Sequence, residues 1–173
     1  MGLRDRLPKH DTIAQFDQAR IERWKDADAL AKRGRRYGGV YLLGYFVEMT
    51  LKAAFFRYFG LPPDTPIVGG DLKAATQLAI GELGVSEDSE SQHNPVFWAR
   101  AIVLFRESFD DPLPDEFALQ LVWRSQRLKS NWAVAMRYRQ VHCTIKEWQD
   151  IHEDAHWINL NYTALAGVGS AEC

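Results

Sequence analysis

The chain has 173 residues, a formal charge of −2, and 46% hydrophobic residues. That is the length of one domain, enough to bury a core without staples, and the weakly acidic balance excludes a uniformly basic nucleic-acid binder. Two cysteines, Cys143 and Cys173, make neither a disulfide framework nor a metal-type spacing.

The elements expected along the chain are all helical, because no run of alternating β-branched residues bounded by hairpin turns occurs. Asp11 is placed to cap a first helix whose stripe is Ile13, Phe16, Trp24, Ala27 and Ala31, ending near Gly34. A second, from Arg36 to Gly60, is apolar on nearly every face and closed by Leu61-Pro62-Pro63. Its interior nevertheless carries Glu48 and Lys52, one turn apart on a stripe with Tyr41, Tyr45, Phe55 and Phe59. An exposed pair of this kind contributes only about 0.2–0.5 kcal/mol, whereas burying two ions costs several kcal/mol each unless further partners are present. A third partner or a wet groove is therefore expected beside them. These charges, with Arg57, also argue against a membrane span.

Asp71 is placed to cap a short third helix to about Leu83, and a polar loop, Ser86 to Gln92, follows. Asn94-Pro95 is an N-cap followed by proline in the first turn, opening a helix to Phe109 with Phe97, Ala101, Leu104 and Phe105 inward. Asp115 to about Lys129 forms the next, with Phe117, Leu121, Arg124 and Leu128 on one stripe. Ser130 to His142 loses periodicity and reads as an ordered connection with at most a helical turn. Thr144-x-x-Glu147 is a capping box opening the last helix, Ile145 to about Ala166. The whole is a single all-α domain over 1–173, an up-and-down bundle of about five principal helices, with its core over about 11–166 and a frayed tail at 167–173.

Charge is segregated along this frame. Lys32, Arg33, Arg35 and Arg36 lie in a window to Val47 without an acid, and Arg124, Arg127, Lys129, Arg137, Arg139 and Lys146 lie in a second, from Phe117. If the two windows meet, they form an anion-binding face on an acidic body. The tryptophans Trp24, Trp98, Trp123 and Trp148, at helical spacing, read as core, while Tyr41 and Tyr45 are candidates to stack a base.

The central run Arg36-Tyr-Gly-Gly-Val-Tyr-Leu-Leu-Gly-Tyr-Phe-Val-Glu-Met-Thr-Leu-Lys-Ala, then Asp71-Leu72, then Trp132 leading to Arg137-Tyr138 and a long amphipathic helix, resembles the HEPN-domain proteins of prokaryotes over about Arg35 to Ala166. The resemblance implies a helical bundle that pairs as a homodimer. It also implies a nucleotide- or RNA-binding module, a partner for a separately encoded nucleotidyltransferase, or a metal-independent ribonuclease of toxin and phage-defence systems. Its ribonuclease branch carries an arginine followed four to six residues later by histidine, a spacing that Arg137 and His142 satisfy. An arginine there would hold the scissile phosphate through paired hydrogen bonds, and an imidazole, which titrates near neutrality, would take the ribose 2′-hydroxyl proton. Tyr138, directly after the arginine, is instead the pattern of the non-catalytic Arg-Tyr members, and Gly70 stands before Asp71 where many members carry histidine.

The working face expected from this reading combines Tyr41, Tyr45, Glu48 and Lys52 with Arg35 and Arg36 and with Arg137, Tyr138, Arg139 and His142. Its ligand is a nucleotide or RNA phosphate, with no cofactor, and Arg137 and His142 become catalytic, beside Glu48, in the ribonuclease alternative. His152-Glu153-Asp-Ala-His156 matches the H-E-x-x-H zinc motif. Both histidines fall off the helix's apolar stripe, Asp154 is a charged insertion, and a polar face is the favoured account over a zinc hydrolase. The opening Met-Gly-Leu-Arg-Asp-Arg lacks the apolar core of a signal peptide, so a soluble cytoplasmic setting is expected.

Overall fold

The computed structural model describes residues 11–67, 69–82, 84–85, 93–138 and 141–167, and the side chains of Asp11, Arg137 and Tyr138 are outside that description. Its α-helices are α1 (Ile13–Lys32), α2 (Arg36–Tyr58), α3 (Gly69–Gly81), α4 (Pro95–Ser108), α5 (Asp115–Asn131), α6 (Ile145–Leu160) and α7 (Tyr162–Leu165). The expected loop Ser86–Gln92, the end of the third helix at Leu83 and the tail beyond Gly167 lie outside the described residues.

The all-α expectation holds, with seven α-helices among the described residues in place of about five. The surplus has local causes. The last helix breaks at Asn161, which ends α6 and precedes the short α7. The short α3 is the other addition to the principal five, and the connection before α6 winds into a 3-10 turn, Val134–Tyr138, which is within the helical turn expected there. One expectation of no strand is corrected on a small scale: β1 (Asp11–Thr12) pairs antiparallel with β2 (Pro66–Ile67). That bridge extends the chain before α1, so Thr12 rather than Asp11 is the N-cap, in a reciprocal capping box with Gln15. Asp71 likewise lies in the first turn of α3 and not at its cap, because the helix begins at Gly69.

α2 is the axis. It packs against α1 on one side and against α4, α6 and α7 on others, and α5 closes the shell between α4 and α6. By length and apolarity α2 is long enough to cross a membrane, but 78% of its most apolar window is buried inside the fold. Val40, Leu43, Phe46, Val47, Leu51, Ala54 and Phe55 are all buried against neighbouring helices. Two glycines set how closely those neighbours approach. A Cβ on Gly44 would lie 2.0 Å from the Trp132 indole, and one on Gly39 would lie 2.6 Å from the Trp148 ring. Trp132, buried at 4% exposure, donates its indole N–H to the Tyr41 carbonyl at 3.0 Å, which pins the connection after α5 onto the first half of α2.

Two buried arginines, Arg20 and Arg106, and the half-buried Arg57 tie the remaining elements together. Arg20 donates to Asp17 at 3.0 Å and to Asn159 at 2.7 Å, while Arg57 reaches the other oxygen of Asp17 at 2.7 Å, linking α1, α2 and α6. Arg106 donates to Asp111 at 2.7 Å and to the Ala164 carbonyl at 2.5 Å, which binds α7 to the end of α4. Of the tryptophans expected in the core, Trp98 is fully buried, but Trp123 is 48% exposed. Its ring is covered from one side by Arg127, whose guanidinium lies 4.6 Å from the centroid, so the indole contributes as a cation–π partner at the surface.

Candidate functional site

Two of the expected site elements meet at the start of α2. The turn Arg33 to Arg35, with Gly34 at φ +77°, reverses the chain between α1 and α2. α2 then opens without a side-chain cap and without an acid in its first turn. Arg35, Arg36, Tyr37 and Tyr41 line a cleft of about 550 Å³ whose opposite wall is Met136, Val141, His142 and Cys143. The start of α2 is therefore brought against the connection after α5, while Arg124 and Arg127 of the second basic window turn to Asp154. The Tyr37 hydroxyl donates to the Met136 carbonyl at 3.2 Å and holds the wall in place. A smaller extension of about 280 Å³ shares Tyr37, Met136, Val141, His142 and Cys143 and continues toward Asn131 and Glu147.

The electrostatics of the cleft favour an anion. No carboxylate is among the described residues lining its larger part, while Arg35 and Arg36 stand at the positive end of a 23-residue helix. Glu147, at the far end of the extension, is occupied: it accepts from the Thr144 backbone N–H at 2.7 Å and from its hydroxyl at 2.8 Å. Those bonds hold the Glu147 carboxyl below the usual carboxylate range, the backbone one foremost. The Cys143 thiol on the wall is pushed up, chiefly by burial and then by Glu147, with Arg36 acting the other way.

The central pair is not part of this cleft, which corrects the expected working face. Glu48 and Lys52 lie two or more turns further along α2, about 10 Å or more from Tyr41 along the axis. Both are 5% exposed, and they meet each other at 2.5 Å. The third partner that their burial required is His93, just before α4, whose Nδ1 lies 3.1 and 3.2 Å from the two Glu48 oxygens. Trp98 adds its ring, 5.6 Å from the Lys52 ammonium. The triad packs α2 against the start of α4, and Glu48 is not among the described residues that line the cleft. His93 stood beside the recognised Asn94-Pro95 cap, but nothing in sequence spacing ties residue 93 to residue 48.

Tyr45 also leaves the expected ligand face. Its ring packs edge-on to Trp132 at 5.4 Å, and its hydroxyl accepts from Tyr41 at 3.2 Å. The side chains of Arg137 and Tyr138, and all of Arg139, lie outside the described residues. The backbone of Arg137 and Tyr138 belongs to the 3-10 turn that carries Met136 into the cleft wall.

The H-E-x-x-H segment has a structural account that sharpens the expected one. Asp154, the insertion that does not fit a zinc helix, is 1% exposed and faces α5, where Arg124 donates to it at 2.8 Å and Arg127 stands at 3.0 Å. Burial pushes its carboxyl up, against the pull of Arg127 and Arg124. The second oxygen meets Arg127 within ion-pair distance but outside hydrogen-bond geometry. With Asp154 inward, His152 and His156 turn toward α1. His152 is half-buried: it sits between Trp24 at 4.5 Å and Trp148 at 5.3 Å, with Nε2 3.1 Å from Asp28, while Glu153 and His156 are exposed. Among the described residues no three His, Cys, Asp or Glu side chains converge as a metal site.

No protein-family model, curated protein or solved structure matches this chain. The cleft is therefore judged on its own chemistry.

Proposed function

We propose that this chain is a binding module that receives a phosphate group of a nucleotide or RNA in the cleft at the start of α2. One observation carries the reading: two arginines at the uncapped N-terminus of a long helix share a 550 Å³ cleft with Tyr37, Tyr41, Met136 and His142. The backbone N–H groups and guanidinium groups supply donors for a phosphate, and the tyrosine and methionine walls offer apolar area to a sugar or base. The resemblance to HEPN-domain proteins points the same way and adds a homodimer and a nucleotidyltransferase or defence-system partner as companions to this module.

Titrating the protein with a fluorescein-labelled RNA oligonucleotide at several salt concentrations tests the reading. For the Arg35→Ala/Arg36→Ala variant, the slope of log K against log salt should become shallower by about 1.4, since each phosphate contact to a single strand contributes about 0.7. Unchanged affinity and slope would refute the cleft.

The position of His142 on the same wall as Met136, opposite Arg36, supports a second reading as a metal-independent endoribonuclease using Arg137 and His142. Cleavage of labelled RNA in EDTA, lost in His142→Ala while binding persists, would favour the enzyme. Binding without cleavage favours the module.

A further inference from the structure

The smaller extension of the phosphate cleft has a chemistry of its own. Its volume is about 280 Å³, its floor is the buried Val40 and Ile151, and its sides include Tyr37, Met136 and Cys143. Val40 lies four residues beyond Arg36 on α2, about 6 Å along the axis, close to the span of one ribose between a phosphate and its base. The apolar floor and sides suit the faces of a flat ring.

The far end of the extension presents hydrogen-bond acceptors. Glu147 takes both Thr144 bonds on Oε2, which leaves Oε1 without a hydrogen bond among the described residues. Asn131 donates its Nδ2 to the Arg127 carbonyl at 2.8 Å, so the amide is oriented and Oδ1 is the atom left over. Glu147 keeps its charge, because the bonds from Thr144 hold its carboxyl low. Two acceptors call for a base edge with two adjacent donors, and guanine has one: its N1–H and N2–H₂ stand side by side. Adenine and cytosine set a ring-nitrogen acceptor beside their amino group, and uracil sets N3–H between two carbonyls. Each of these would leave an acceptor facing an acceptor.

We infer that the extension is a guanine subsite, in which Glu147 Oε1 and Asn131 Oδ1 accept from the Watson–Crick edge while Tyr37 and Met136 cover the ring. The assignment rests on the phosphate cleft proposed above and gives it a ligand: a guanosine nucleotide, free or as an unpaired guanine in RNA.

Isothermal titration of the full chain with GMP, IMP, AMP, CMP, UMP, guanosine and ribose 5-phosphate tests the assignment. GMP should bind roughly tenfold or more tightly than AMP, CMP or UMP, and IMP, which lacks the second donor, should bind more weakly than GMP. Glu147→Gln keeps the capping box, since glutamine serves there too, and should bring GMP down to the affinity of AMP. Should Glu147→Gln fail to fold, Asn131→Ala removes the other acceptor. Arg35→Ala/Arg36→Ala should weaken GMP and AMP by the same factor. Oligoadenylate carrying one guanine, set against oligoadenylate alone, separates the two sources: the guanine oligomer outbinding GMP marks RNA, and GMP matching it marks the free nucleotide. Equal binding of all nucleotides and ribose 5-phosphate would overturn the guanine subsite and leave the phosphate cleft standing. Guanosine binding as tightly as GMP would sink the phosphate cleft while the subsite held. A guanine preference that survives both Glu147→Gln and Asn131→Ala would overturn the assignment, and no binding of any probe at millimolar concentration would overturn both readings.

Discussion

Replacing Gly44 with alanine should destabilise the protein, although alanine is the better helix former. In an exposed helix the change would gain about 1 kcal/mol. Here the new Cβ would lie 2.0 to 2.1 Å from three atoms of the Trp132 indole, so the ring must leave its seat. Its departure forfeits the bond to the Tyr41 carbonyl, worth about 1 kcal/mol, and much of the burial of an indole that is now 4% exposed. Complete removal of such a ring costs about 3–5 kcal/mol, so after the helical gain the net loss should be about 2–4 kcal/mol. Urea denaturation followed by far-UV circular dichroism, with the slope m checked for constancy, measures it. The decisive comparison is made in a Trp132→Ala background, where the three atoms nearest to the methyl group are gone and Gly44→Ala should now stabilise by about 1 kcal/mol. If Gly44→Ala is neutral or stabilising in the parent, or does not change sign when Trp132 is absent, the seat assigned to the ring is wrong. Because Trp132 leads directly into the 3-10 turn behind Met136, the single variant should also weaken RNA binding in the cleft.

Glu48→Ala leaves Lys52 buried without its carboxylate and should cost about 3–5 kcal/mol in urea denaturation, whereas Glu48→Leu with Lys52→Met should recover most of it; a single-variant cost below about 1 kcal/mol would show that the pair is hydrated. Thr144→Ala removes the hydroxyl that accepts from the Glu147 backbone N–H at 3.1 Å, and should lower stability by about 1 kcal/mol with little change in m; no change would show that α6 does not depend on its box. The Tyr162 phenol is held above its ordinary value near 10, first by burial and then by the Asp17 carboxylate beside it. A raised acid contributes stability that is fully present below the unfolded value and is lost as pH rises through the folded one. Absorbance at 295 nm should therefore show Tyr162 ionising late, only with alkaline unfolding, and Tyr162→Phe should flatten the loss of stability above pH ~10. A phenol at this position that titrates normally would refute the burial argument.

Helix existence was legible because its signals are local. The apolar period over Val96 to Phe109, the Asn94 cap and the Thr144 box each depend on residues within one or two turns, and each is present in the fold. Most of the apolar stripe of the last helix was also readable: Ile151, Ala155, Ile158 and Leu165 are buried, while Trp148 and Tyr162 of the same stripe are half-buried. The demand that Glu48 and Lys52 find a third partner followed from desolvation alone. The partner's identity did not: it includes the imidazole of His93, 45 residues away along the chain. Trp123 shows the same gap, since its spacing matches a core stripe while the approach of α6 from one side leaves it at the surface beside Arg127.

The amino-acid sequence by itself determined an all-α chain, the faces its helices bury and the segregation of its basic residues, because side-chain period and end-capping are properties of neighbours. Tertiary structure alone decided that Arg35 and Arg36 share a cleft with His142 while Glu48 and Lys52 are sealed elsewhere on the same helix. The reason is geometric: a helix fixes which residues share its faces, but only the docking of other helices determines which stretch of each face is covered and which remains open.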